Sequence, residues 1–114
     1  MKIFFIIFAF LLFSPQFSFA LSDVDHKAFL KESDAYKNND RYLQKVWSAM
    51  KKNLPNEKYK TILKDQLDWI KIRRDKTAQV FMDNGFSRLD SYNYATTVRI
   101  CELEHYYFIN LKKR

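Results

Sequence analysis

The chain has 114 residues, 20 Lys and Arg against 13 Asp and Glu, two His and one Cys. A single cysteine, Cys101, excludes an intrachain disulfide, and two isolated histidines, His26 and His105, exclude a Cys/His metal cluster. With one Gly and two Pro in the whole chain there is little room for hairpins, so the composition points to an all-helical protein.

Lys2 opens the chain, followed by an unbroken apolar run from Ile3 to Phe13 and then "SPQFSFA". A positive start, a short apolar stretch and small residues at Ser18 and Ala20 read as a secretory signal peptide. The run is too short for a membrane span, which needs roughly 20 apolar residues. Cleavage after Ala20 is therefore expected, leaving residues 21–114 as one domain in the periplasm or outside the cell. Seven of the eleven Phe lie in the leader, so the remainder is Tyr-rich. It keeps Lys and Arg in excess, with the acids gathered early: residues 21–40 hold three Lys against five Asp and Glu.

The first helix is expected from Ser22, a candidate N-cap with Asp25 three residues on, to about Asn53. Phe29, Tyr36, Leu43, Val46, Trp47 and Met50 recur along it at helical spacing. "KNND" at 37–40 has poor helix propensity and is the expected place for a bend or break. "NLPNE" makes the turn, with Pro55 suited to the start of the next helix.

The second helix should run from Asn56 to Met82. On a regular helix Tyr59, Ile62, Leu63, Gln66, Trp69, Ile70, Arg73, Thr77, Val80 and Phe81 share one side. Lys60, Lys64, Asp68, Lys71 and Asp75 then fall on the opposite, solvated side. "DNG" at 83–85 ends the helix, with Gly85 free to turn left-handed. The third helix, Ser87 to Leu111, would bury Tyr92, Ala95, Thr96, Arg99, Leu103 and Tyr106 and end in a basic "KKR". The expected architecture is a three-helix antiparallel bundle.

Two arginines and a glutamine thus stand in the middle of inward faces. An unpaired buried guanidinium costs several kcal/mol, so each needs acceptors. An antiparallel hairpin about residues 54–56 brings Asp40 level with Arg73, and an Asp40–Arg73 pair is expected. On the outer side of the third helix Tyr94, Val98, Cys101, His105 and Phe108 make a second stripe. Either the segment around Val24 and Phe29 folds over this stripe, or a second copy covers it in a homodimer.

"DRYLQKVW" (40–47), "QLDWIKIR" (66–73), "GFS" (85–87) and "TTVRICEL" (96–103) occur in an order that resembles the LprI-like lysozyme-inhibitor family. Asp40 and Leu43 match its first motif, where Gln44 and Trp47 replace Asn and Tyr. Gln66, Trp69 and Arg73 match the second; Thr96, Arg99, Glu102 and Leu103 match the last. Members often carry an Asp and then a Cys after the Arg, where this chain has Arg74 and Thr77. The usual partner cysteine would fall near Ser91, so the resemblance implies a bridge lost on both sides, and Cys101 is not that family cysteine.

No nucleophile–base pair or ligand cluster supports catalysis: Glu102 and Glu104 face different ways and Cys101 has no activating base. No enzyme, metal or cofactor is expected, and export argues against a nucleic-acid partner. The resemblance implies a lysozyme inhibitor acting by protein–protein binding. A basic chain is repelled by basic lysozymes, so Asp23, Asp25, Glu32 and Asp34 are the expected contact residues. The alternative is an envelope adaptor that binds another protein or an anionic polymer.

Overall fold

The structure, a computed structural model, describes residues 21–111; the expected signal peptide, residues 1–20, and the terminal "KKR" lie outside the described residues. Five α-helical stretches and one π-helical turn make up the fold: α1 (Asp23–Glu32), α2 (Asp34–Asn53), α3 (Asn56–Asp68), the π turn (Trp69–Arg73), α4 (Arg74–Asp83) and α5 (Arg88–Asn110). From α3 to α4 the helix is continuous, so the described chain has four helical rods. The all-helical expectation holds.

The expected first helix is two. The division comes at Ser33, not at "KNND". Ser33 is extended, its N–H donates to the Phe29 carbonyl, and its hydroxyl accepts the Tyr36 N–H at 3.1 Å. One serine therefore closes α1 and caps α2. Asn38 and Asn39 stay helical despite their propensity. Asn39 donates through Nδ2 to the Asn93 side chain (3.0 Å) and to Thr97 Oγ1 (2.8 Å) on α5, and this tertiary bonding outweighs local preference.

Contacts between α2 and α5 keep step along both helices, Asn39 with Asn93 and Asn53 with Tyr107, so the two run parallel. The α3–α4 rod runs against them: Lys58 meets Tyr106, Gln66 meets Arg99 and Asp75 meets Tyr92. At its end Phe86 N–H reaches the Phe81 carbonyl and Gly85 N–H the Met82 carbonyl, with Gly85 at φ 95°. The Phe81 and Phe86 rings touch across this left-handed cap, 6.0 Å apart.

Two apolar clusters form the core. One joins Leu43, Val46, Met50, Leu54, Ile62, Ile100 and Leu103. The other joins Leu21, Phe29, Tyr36, Ala78, Tyr92 and Ala95. Between them, on α3, the π turn and α5, sits a mixed layer of Gln66, Trp69, Thr96 and Arg99, all buried.

The π turn resets the second helix. Arg74 N–H bonds the Trp69 carbonyl, five residues back rather than four. That extra residue turns the inward face by about 100°. Ile62, Gln66 and its first residue Trp69 are buried, as a regular helix requires, but beyond it Ala78 is buried and Val80 exposed. The expected face through Arg73, Thr77 and Val80 moves one residue along, and Asp75 comes inside, where it accepts from Tyr92 Oη at 2.6 Å and from Leu21 N at 3.1 Å.

Candidate functional site

Arg99 is the hub of the mixed layer. Its side chain is 2% exposed and every guanidinium nitrogen is used. Nε donates to Gln66 Oε1 at 2.7 Å, Nη2 to Asp65 Oδ2 at 2.8 Å and Nη1 to Glu102 Oε1 at 3.0 Å. The guanidinium carbon lies 5.7 Å from the centre of the Trp69 ring, and that of Arg74 lies 5.6 Å from the same ring. A planar five-donor fork suits this three-acceptor cage, which an ammonium could not fill.

Asp65 links the hub to a second arginine. Arg73 Nη2 lies 2.8 Å from Asp65 Oδ1 and 3.1 Å from the Asp65 carbonyl, while its Nε stands 3.3 Å from Asp68 Oδ2, close enough to pair but poorly aligned for a hydrogen bond. Burial raises the Asp65 carboxyl, but the bonds from Arg73 and Arg99, with their charges, outweigh it and hold the group below its ordinary value. The same bond to Asp65 lifts Arg73 further.

The expected Asp40–Arg73 pair is not formed. The π turn folds Arg73 back on its own helix, and Asp40 instead faces His26, 3.9 Å from Nε2. His26 Nδ1 in turn meets Tyr36 Oη at 2.7 Å. Burial pushes the Tyr36 hydroxyl up to about 12, partly offset by Arg74 and reinforced by Asp40.

The other motif residues lie around this hub. Leu43 and Leu103 are in the apolar cluster below it; Thr96 Oγ1 donates to its own helix at the Tyr92 carbonyl. Trp47 packs on Tyr59 at 5.7 Å and lines a cleft of about 130 Å³ with Leu43, Gln44, Gln66 and Ile70. Two of the motifs therefore meet in one cleft between α2 and α3. Asp65 and Asp75 were not expected at the site. Asp65 directly precedes Gln66, but a regular helix turns it to the flank, and only the fork of Arg99 draws it in.

Of the acidic candidates, Asp25 pairs with Arg88 at 3.0 Å, whereas Asp23, Glu32 and Asp34 are exposed. On the outer face of α5, Val98, Cys101, His105 and Phe108 are exposed, and Tyr94 joins the rings of Phe81 and Phe86. The α1 segment does not cover this stripe. Val24 is 75% exposed and Phe29 packs inward on Tyr36 and Tyr92, because α1 folds against the opposite face of α5. Among the described residues no group of three His, Cys, Asp or Glu side chains is placed to hold a metal, and no helix is long and apolar enough to cross a membrane.

The family model for lysozyme inhibitor LprI matches residues 27–106, from α1 to the last turns of α5. The chain belongs to the LprI family. No curated protein and no solved structure matches it. The LprI match contains all the helices that build the Arg99 hub and both walls of the cleft.

Proposed function

We propose that this is an exported LprI-family binding protein, with residues 21–114 forming one domain after cleavage behind Ala20, and that it inhibits a lysozyme by covering it. The family match over residues 27–106 carries the reading. The Arg99 hub supports it by its chemistry: a buried guanidinium whose three nitrogens each donate within the fold holds helices together and is enclosed away from any substrate. The reading involves no catalytic step.

Contact with a basic lysozyme is assigned to the acidic N-terminal segment, through Asp23 and Glu32 of α1 and Asp34 of α2, with Asp25 shared with Arg88. Such a contact weakens as salt rises, because exposed charges are screened beyond about 8–10 Å at physiological ionic strength. The test is a cell-wall lysis assay against lysozymes of several classes, run beside a pull-down from envelope extract. Inhibition that falls with salt and with charge reversal of Asp23, Glu32 and Asp34 supports the reading. Inhibition that survives both refutes the acidic contact. Failure against every lysozyme, with a specific envelope partner retained, replaces it with the adaptor.

A homodimer through Tyr94, Val98, Cys101 and Phe108 is a second proposal, favoured by the exposure of that stripe. Light scattering of the protein and of Phe108→Glu decides it, together with a non-reducing gel.

A further inference from the structure

The outer edge of α3 is apolar where a solvated helix would be polar. Leu63, Leu67 and Ile70 are exposed, Leu67 by 62%, and follow one another at spacings of four and three, so they form one stripe. Lys60, Lys64 and Lys71 run beside that stripe and are exposed. The three lysines span about 16 Å of helix at 1.5 Å per residue. None of the three lysines takes part in an ion pair among the described residues; the one exposed acid among them, Asp68 between Lys64 and Lys71, is paired with Arg73 Nε at 3.3 Å.

A row of this kind suits a flat anionic surface better than it suits another helix. A docking helix would seat in the cleft between α2 and α3, yet Leu43 and Gln66 there are already buried and only Ile70 of the apolar stripe reaches it, Leu63 and Leu67 lying outside. The exposed area stands on the crest instead, with the lysines turned further outward. A second copy would bring lysine against lysine, and a basic lysozyme would be repelled in the same way. An anionic bilayer offers both an apolar layer for the leucines and phosphates for the lysines, whose alkyl stems lie along the boundary.

We infer that α3 and the π turn present a membrane-surface face: Leu63, Leu67 and Ile70 enter the headgroup–acyl boundary of an anionic phospholipid bilayer while Lys60, Lys64 and Lys71 meet its phosphates. The protein lies on the bilayer through this face and does not cross it. Attachment is reversible, since three short apolar side chains bury little area and the electrostatic part is screened by salt.

The experiment is co-sedimentation of the full chain, as released by exporting cells, with vesicles of phosphatidylglycerol and phosphatidylethanolamine, and with vesicles of phosphatidylcholine alone. The expected result is salt-sensitive binding to the first only. The paired change Leu67→Glu and Ile70→Glu should weaken it by about tenfold or more. Lys60→Glu with Lys64→Glu should do the same. Arg41→Glu with Lys52→Glu, an equal charge change on the far side of α2, should leave it nearly intact. All these positions are exposed, and circular dichroism verifies the fold. Equal losses for the two charge pairs would show attraction by the whole chain and overturn the face, as would retention by the leucine–isoleucine variant or failure of the unaltered protein to bind. None of these outcomes depends on lysozyme inhibition, which is scored separately.

Discussion

At the scale of single residues, burial separates two arginines that look equivalent in the sequence. Arg73 is 40% exposed and its carboxylate partners are at least as open, so Arg73→Ala should cost no more than about 1 kcal/mol. Arg99 is enclosed. Arg99→Ala strands Gln66 and the inner oxygen of Asp65 and opens space beneath Trp69, and should cost about 3–5 kcal/mol. Trp69→Ala should cost a similar amount, about 3–5 kcal/mol, through the cavity it leaves. Urea melts with matched slopes check all three, and a large loss for Arg73→Ala would contradict this ranking. The tyrosines give a pH dependence of known sign. Tyr36 ionises near 10.0 in the unfolded chain and about 12 in the fold. Above pH 10 the unfolded state therefore loses its proton first, so this stabilisation is complete below that pH and declines as pH rises to about 12. Tyr92, raised by burial and by its bond to Asp75, acts in the same direction. Asp65, held low, contributes in the opposite window: its stabilisation is present above the ordinary carboxylate range and is lost as acid protonates it. Stability against pH, followed by chemical denaturation, should fall at both ends.

Among the elements, the π turn decides most. It adds a residue between two stretches whose inward faces are otherwise in register, Ile62–Gln66–Trp69 before and Ala78 beyond. Deleting exposed Ile72 should restore a regular helix, keep both clusters in place and leave stability within about 1 kcal/mol of the original. Arg73 would then leave Asp65. Helix content by circular dichroism and a denaturant melt test the deletion, and collapse of the fold would mean that the turn is structurally indispensable. Ser33 makes a similar point on a smaller scale. Ser33→Ala removes the hydroxyl that caps α2 and should cost about 1 kcal/mol, measured the same way.

For the whole molecule, charge and exposed apolar surface are distributed unevenly over its faces. The acids of α1 lie beside the second apolar cluster, the lysines of α3 stand on the outer edge of the rod, and the Tyr94–Phe108 stripe occupies the free side of α5. If the acidic N-terminal segment serves lysozyme binding, reversing Asp23, Glu32 and Asp34 should lower the association rate far more at low salt than at high salt, as stopped-flow measurement would show. Equal effects at both ionic strengths would remove steering from the mechanism.

Helical periodicity carries most of the secondary structure here, and it does so because one stripe of each helix must leave water. The cap at Ser22, the start of the last helix near Ser87, the left-handed stop at Gly85 and the buried stripe of α5 were all legible from the sequence. The break at Ser33 was not, because two asparagines that disfavour a helix locally are held in it by α5. Nor was the π turn, since periodicity assumes a constant turn angle and Gln66, Trp69 and Arg73 fit a regular helix equally well. Gln66 and Arg99 could be marked as polar groups in buried faces needing partners, but spacing along one helix says nothing about which acceptor a neighbouring helix brings. Tertiary packing decided that: it gave Arg99 to Asp65, Gln66 and Glu102, turned Arg73 away from Asp40, and drew Asp75 inward to Tyr92.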